Sequence, residues 1–208
     1  MSISIEARQV SEATHEIFDV EINSDSVETL VTHIPSMVDD WIQEIERINN
    51  HNLNNLIVGL DVEWRPSFNR YITNKVAVLQ LCVGHRCLIF QPLHAQFIPQ
   101  SLSEFLGNSN YSFVGVGIQE DIEKLACDWE LSVRNPVDVR DLAANSYSDS
   151  NLRNTSLKNL AKTVLGLEIE KPRRITMGRW DKEWLDTDQV KYACVDAFVS
   201  SELGKRLV

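Results

Sequence analysis

The sequence predicts an α/β fold built on one mixed β-sheet, and three observations carry that expectation. Short apolar runs of strand length crowd the first half, while helical periodicity fills the second. No internal repeat, low-complexity tract or long linker divides the chain. At 208 residues and 43% apolar content, one domain with a sizeable core is expected and two would be cramped.

Taken in order, residues 1–14 carry no strong pattern and are expected to form a flexible tail, leaving 15–208 as a single domain. Phe18, Val20 and Ile22 alternate with Asp19 and Glu21, which is strand periodicity. Asn23-Ser24-Asp25 offers turn chemistry, so 27–34 is expected to return as its partner. Ser36 reads as an N-cap with Asp39 three residues on, and Val38, Trp41, Ile42, Ile45 and Ile48 keep helical spacing until the polar stretch 49–55. LIVGLDVEW (56–64) reads as a buried central strand; VAVLQLCV (76–83) and RCLIF (86–90), joined at Gly84-His85, read as two more. A short helix at 99–106, a strand at 112–117 and a helix at 119–130 follow. A brief strand near 136–139 leads into a helix at 140–147. Leu157, Leu160, Ala161, Val164 and Leu165 trace one helical face, and Thr187 with Asp188 can cap a last helix from 188 to the end.

Composition excludes several classes. The amino terminus lacks a basic start followed by an apolar run, so no secretory signal is expected. No apolar stretch approaches the roughly 20 residues of a membrane helix; LIVGL runs straight into Asp61. A soluble intracellular protein is expected, in the cytoplasm or alternatively the nucleus. Cys82, Cys87, Cys127 and Cys194 are scattered, without a CxxC pair or a His at zinc spacing, so reduced structural thiols are expected. A net charge of −10 argues against indiscriminate attraction to nucleic acid, so any phosphate grip must be local. Arg65, Arg70 and Lys75 form one candidate group; Lys171, Arg173, Arg174 and Arg179 form another. Either could equally be a solvated charged loop.

The candidate chemistry lies in acidic residues. Asp61 and Glu63 are two apart in a strand of Leu, Ile and Val, so both carboxylates point to one face. Like charges side by side at a core edge are unfavourable unless something positive lies between them, and a hard divalent cation answers that need. Trp64 alternates to the opposite face, where it reads as core. Asp196 follows Tyr192 by one helical turn, so the two share a face. Asp121 opens a helix, where its charge suits the helix dipole. Singly, each has an ordinary reading as surface or helix-end charge.

Together, LDVEWRP (60–66), VAVLQLC (76–82), FVGVGIQEDIEKL (113–125) and QVKYACVDA (189–197) resemble the Werner-type 3′→5′ exonucleases. SLKNLAKTVLGLEIEKP (156–172) and GRWDKEWL (178–185) look like that family's approach to its last motif. The resemblance covers about 15–208 and implies an RNase H-like, DnaQ-like exonuclease fold with a mixed sheet flanked by helices. It implies an enzyme of the tyrosine branch that removes nucleoside monophosphates from single-stranded 3′ ends with two Mg²⁺ or Mn²⁺ ions. Carried over, Asp61 and Glu63 match the first motif, Asp121 the second, and Tyr192 with Asp196 the third. Asp61 would bridge the ions, Glu63 and Asp196 complete one site, Asp121 hold the other, and Tyr192 orient the water. Arg65, Arg173 and Arg174 are the expected substrate contacts. Trp64-Arg65-Pro66 departs mildly from relatives that carry two prolines there.

The small plant members of this group, some of them six-membered rings, imply RNA ahead of DNA and raise a homo-oligomer as a partner. No GxxxxGK[ST] phosphate loop accompanies the motifs. Two other readings share the fold. A catalytically silent nucleic-acid-binding or oligomeric scaffold would fail a metal-dependent nuclease assay, and an RNase H-like endonuclease would yield internal fragments instead of mononucleotides.

Overall fold

The structure, a computed structural model, describes residues 3–11, 14–67, 69 and 71–208. Eight strands form one mixed sheet in the order β1-β2-β3-β6-β5-β4-β7-β8. They are β1 (Ile3–Ser11), β2 (His15–Ile22), β3 (Asp25–Thr32), β4 (Leu56–Glu63), β5 (Val78–Val83), β6 (Arg86–Phe90), β7 (Tyr111–Gly115) and β8 (Pro136–Asp138). The neighbours in β1-β2-β3 and in β6-β5-β4 pair antiparallel. Longer crossovers make β3–β6, β4–β7 and β7–β8 parallel.

Period 2 divides the side chains of the sheet between two cores. Leu60, Leu79, Leu81, Leu88 and Phe90 face a layer holding α1 (Pro35–Ile48), α2 (Gln100–Leu106) and α3 (Ile118–Trp129). Val78, Cys82, Cys87, Ile89 and Val114 face the last helix, α7 (Thr187–Leu207), through Ala193, Ala197 and Phe198. Between them in sequence lie α4 (Val139–Ser146), α5 (Leu157–Leu160) and α6 (Arg173–Thr176).

Helix α7 lies unusually close to the sheet because glycine lets it. A Cβ on Gly59 would sit 1.9 Å from the Ala197 carbonyl oxygen, and one on Gly204 would sit 2.9 Å from Val114. Gly59 also fixes the phase of β4: if position 59 points at α7, so do Asp61 and Glu63, while Val58, Leu60 and Val62 enter the opposite core.

Several expectations need correction. Residues 3–11 are not a flexible tail but the edge strand β1, in register with β2 through Ile3–Ile22 and Ile5–Val20. Ile3 and Ile5 pack on the α7-side core, and Arg8 pairs with Asp19 and Glu28 across the neighbouring strands. Ser36 is not the cap of α1: Ile34 occupies that place and Pro35, whose missing N–H costs nothing there, starts the helix. Helix α7 is capped by Asp186, not by Thr187 or Asp188. Asp186 accepts from the Gln189 N–H (3.0 Å) while the Gln189 side chain accepts from the Asp186 N–H (3.2 Å). The face from Leu157 to Leu165 is helical but not uniform: α5 widens into a π turn over Ala161–Leu165, which Gly166 ends at φ +67°.

Candidate active site

Three elements meet at the carboxyl end of β4. The strand itself offers Asp61 and Glu63 toward α7, and α7 returns Tyr192 and Asp196 one turn apart. The third contributor is α3, which follows β7; β7 is parallel to β4, so the first turn of α3 and its Asp121 arrive at the same end of the sheet. Gly117 makes that entry possible, taking φ +71° and donating its N–H to Asp138 (3.0 Å).

The five side chains sense one another. Burial and the Asp196 charge push Asp61 up to about 7, against the pull of Lys171 and of the Val62 N–H it accepts at 3.0 Å. Asp121 rises to about 8, through burial and then the charges of Asp61, Glu120 and Asp138. Glu63 goes well above the usual carboxylate range by burial, Asp61 and Asp196. Asp196, 1% exposed, is also raised by burial but held back by Lys171, the Tyr192 hydroxyl and Asp61. Burial and these carboxylates raise the Tyr192 phenol above its ordinary range, so it stays neutral at any working pH and can donate or accept but not act as a base.

Four carboxylates in one recess, each raised by burial and three of them by named acidic neighbours as well, form a site short of positive charge. All the donors are hard oxygen, with no imidazole or thiolate among them, which suits Mg²⁺ or Mn²⁺ and not zinc. Gln80 adds a second sign. It stands directly across from Asp61 in the β4–β5 register, on the same face, 0% exposed, and neither of its amide atoms has a partner. Orphaned polar atoms beside a carboxylate cluster are what an ion with its water shell would satisfy. Among the described residues, no three His, Cys, Asp or Glu side chains are arranged to hold an ion as they stand. Instead the Lys171 ammonium donates to Asp196 at 2.6 Å.

The basic residues lie elsewhere than expected. Lys171 is inside the carboxylate cluster and not on a rim loop. Arg65 is exposed and pairs with Asp181 (3.0 Å), which also takes Arg179 (3.5 Å). Arg174 pairs with Asp188 (2.7 Å), and Arg173 beside it in α6 is exposed. Lys75 stacks over Trp129 at 4.8 Å; Arg70 lies outside the described residues. Trp64 does turn from Glu63 into the α1-side core, with the Lys124 ammonium 5.1 Å over its ring. A cavity of about 380 Å³ adjoins Tyr192 and Asp196, walled by Pro172, Arg174, Ile175 and Asp188. Lys171 and Gln80 are the two members that sequence reasoning did not single out. Gln80 carried a signal, a lone amide inside an otherwise apolar central strand.

A family model described as 3′-5′ exonuclease matches residues 34–208. The chain belongs to the 3′-5′ exonuclease family. A 3′-5′ exonuclease of Arabidopsis thaliana is 38% identical over 152 residues, covering 72% of this chain and 52% of the relative. The bifunctional 3′-5′ exonuclease/ATP-dependent helicase WRN of Mus musculus is 32% identical over 152 residues, covering 73% of this chain and 11% of the relative. This exonuclease-family chain thus spans about half, or less, of the length of these relatives. Among solved structures, the EXD2 exonuclease domain soaked in Mn and GMP superposes with a TM-score of 0.51 at 27% identity, over 86% of this chain and 88% of that one. Brucella melitensis NrnC superposes with a TM-score of 0.62 over 75% and 73%; at 18% identity it speaks for the fold alone. The mixed sheet flanked by helices is the DnaQ-like exonuclease fold. Among the described residues, no helix is long and apolar enough to cross a membrane.

Proposed function

We propose that this domain, its sheet extended by β1, is a divalent-metal-dependent 3′-5′ exonuclease that releases nucleoside monophosphates from single-stranded nucleic acid. RNA is put ahead of DNA on the resemblance to small plant exoribonucleases. The observation that carries the reading is the convergence of Asp61, Glu63, Asp121 and Asp196 on one recess with a single ammonium among them. Membership of the exonuclease family and the Mn-soaked EXD2 domain support it.

Asp61, Glu63, Asp196 and Asp121 would hold two Mg²⁺ or Mn²⁺ ions. Bound there, the ions supply positive charge to the attacking water and to the departing 3′ oxygen. Tyr192 contributes a neutral hydroxyl beside Asp196, suited to orienting that water by a hydrogen bond. Arg65, Arg173 and Arg174 would meet the substrate backbone. Reach into the recess falls to the last nucleotide of a frayed strand, because Asp196, on the sheet-facing side of α7, is only 1% exposed.

Digestion of end-labelled RNA and DNA with Mg²⁺, Mn²⁺ or EDTA tests the proposal. Mononucleotides from free 3′ hydroxyl ends, lost with EDTA, are expected; a 3′-phosphate or a duplexed end should resist. Equal cutting of circular single strands would replace the exonuclease with an endonuclease.

A further inference from the structure

Lys171 lies outside every regular element, in the connection between the π turn and α6, yet it reaches the centre of the acidic recess. Its Nζ is 2.6 Å from Asp196 Oδ2 and 5.3 Å from the centroid of the Tyr192 ring. Asp61, Glu63 and Asp121 all feel its charge. One ammonium therefore touches Asp196 and lies within electrostatic reach of the other three carboxylates. No trio of these carboxylates closes around an empty point among the described residues.

Resting on the metal reading above, we propose that Lys171 is the resident counter-ion of the metal-free site, and that a divalent ion must displace it to load. The two cations compete for Asp196, whose side chain is only 2% exposed and has few other approaches. Lys171 itself is 30% exposed, so its long flexible stem can carry the ammonium outward without opening the core. The cavity beside Asp196 is walled in part by Glu170, while its Asp188 is already paired with Arg174 and Lys191. The device keeps the carboxylates apart and the fold intact when metal is scarce, at the cost of weaker metal affinity. Lys171 is thus a positioning residue of the loading step.

Two measurements test this without using activity. In the wild-type chain, labelling of Lys171 by an amine-reactive reagent, read by peptide mass spectrometry, should be several-fold faster with saturating Mg²⁺ than with EDTA. Slower or equal labelling would overturn the proposal. Calorimetric titration with Mn²⁺ should show Lys171→Met binding about tenfold tighter than wild type, as expected when a partly buried ionic competitor is removed. Lys171→Arg, which keeps the charge, should stay near wild type. Metal-free Lys171→Met should also melt earlier than wild type, with the gap closing at saturating Mn²⁺. Equal or weaker Mn²⁺ binding by Lys171→Met, with wild type binding normally, would overturn this inference alone. Absence of Mn²⁺ binding in wild type and variants alike would overturn the metal reading, and this with it.

Discussion

Asp61 and Asp196 are both buried carboxylates of one cluster, but they have different partners and should respond differently to the same substitution. Asp61→Asn removes a group that burial and Asp196 have raised to about 7, so it relieves repulsion, and the metal-free protein should melt level with wild type or a few degrees higher. Asp196→Asn removes the acceptor of the Lys171 ammonium and leaves that charge facing an amide, so this variant should melt lower. Both lose a proposed metal ligand, and turnover should fall by on the order of 10³-fold or more. Thermal melts beside single-turnover rates check both halves, and near-wild-type turnover in either would sink the assignment. The same residues set a pH dependence. Asp61 and Asp121 bind protons more tightly folded, at about 7 and about 8, than in an unfolded chain, at roughly 4. The folded state therefore holds more protons across that window, so stability of the metal-free protein falls as pH rises from roughly 4 to 8 and levels above it. Mn²⁺ affinity should run the opposite way, rising with pH as the carboxylates ionise. Melts in EDTA and titrations at pH 6 and 8 measure the two slopes.

Elements were legible where one physical signal dominated. The apolar alternation of β2, β4, β5 and β6 announced itself because each strand is buried on both faces or cleanly on one. Edge strand β1 did not: its alternation rests on Ile3 and Ile5, and its other contribution, Arg8 bridging Asp19 and Glu28, is a pairing between strands that no local window contains. The caps of α1 and α7 were each misplaced by one or two residues: Pro35 starts α1 after Ile34 without any side-chain cap, and at α7 Asp186, Thr187 and Asp188 compete so that only backbone geometry chooses. Nothing local marked Gly59, a small residue inside a strand whose meaning comes from a helix far along the chain. Gly59→Ala should force α7 and β4 apart, since the new Cβ would meet the Ala197 carbonyl oxygen. A loss of about 1–3 kcal/mol in a denaturant titration is expected. Because Ala197 adjoins Asp196, turnover should drop beyond what the stability loss explains, even at temperatures where the variant is fully folded. Unchanged turnover would show that the close crossing serves packing only.

At the scale of the molecule, a net charge of −10 leaves substrate attraction to a few local cations, and the structure shows how modest that provision is. Arg65 and Arg179 share Asp181, and Arg174 is matched by Asp188. Replacing Arg173 and Arg174 with Ala should raise KM and flatten its salt dependence, by at most about 0.7 in the log–log slope for each phosphate no longer neutralised. Turnover at saturation should hold, as uniform binding energy sets KM and not kcat. Wild type and double mutant compared at two salt concentrations decide it; identical slopes would return these arginines to ordinary surface charge. The five acidic and tyrosine candidates could be named from the sequence because motif spacing survives in one dimension. Lys171 was grouped with the other basic residues of 171–179, because charge alone cannot tell a rim from a centre. Its place depends on where the connection between α5 and α6 passes over α7.

The recess joins residues 61 and 196, which lie 135 positions apart, and the seating of α7 on β4 brings them together. Loop closure over that span should come later in folding than local hairpins such as β5–β6. A refolding chain should therefore regain its circular-dichroism signal well before it regains phosphodiesterase activity, and the two should be resolvable by stopped-flow and quenched-assay measurements. Simultaneous recovery would mean that α7 docks early. A late-assembling centre would give the proposed nuclease an intrinsic safeguard: a chain that has collapsed but not finished folding would carry every acidic residue it needs and still be unable to cut.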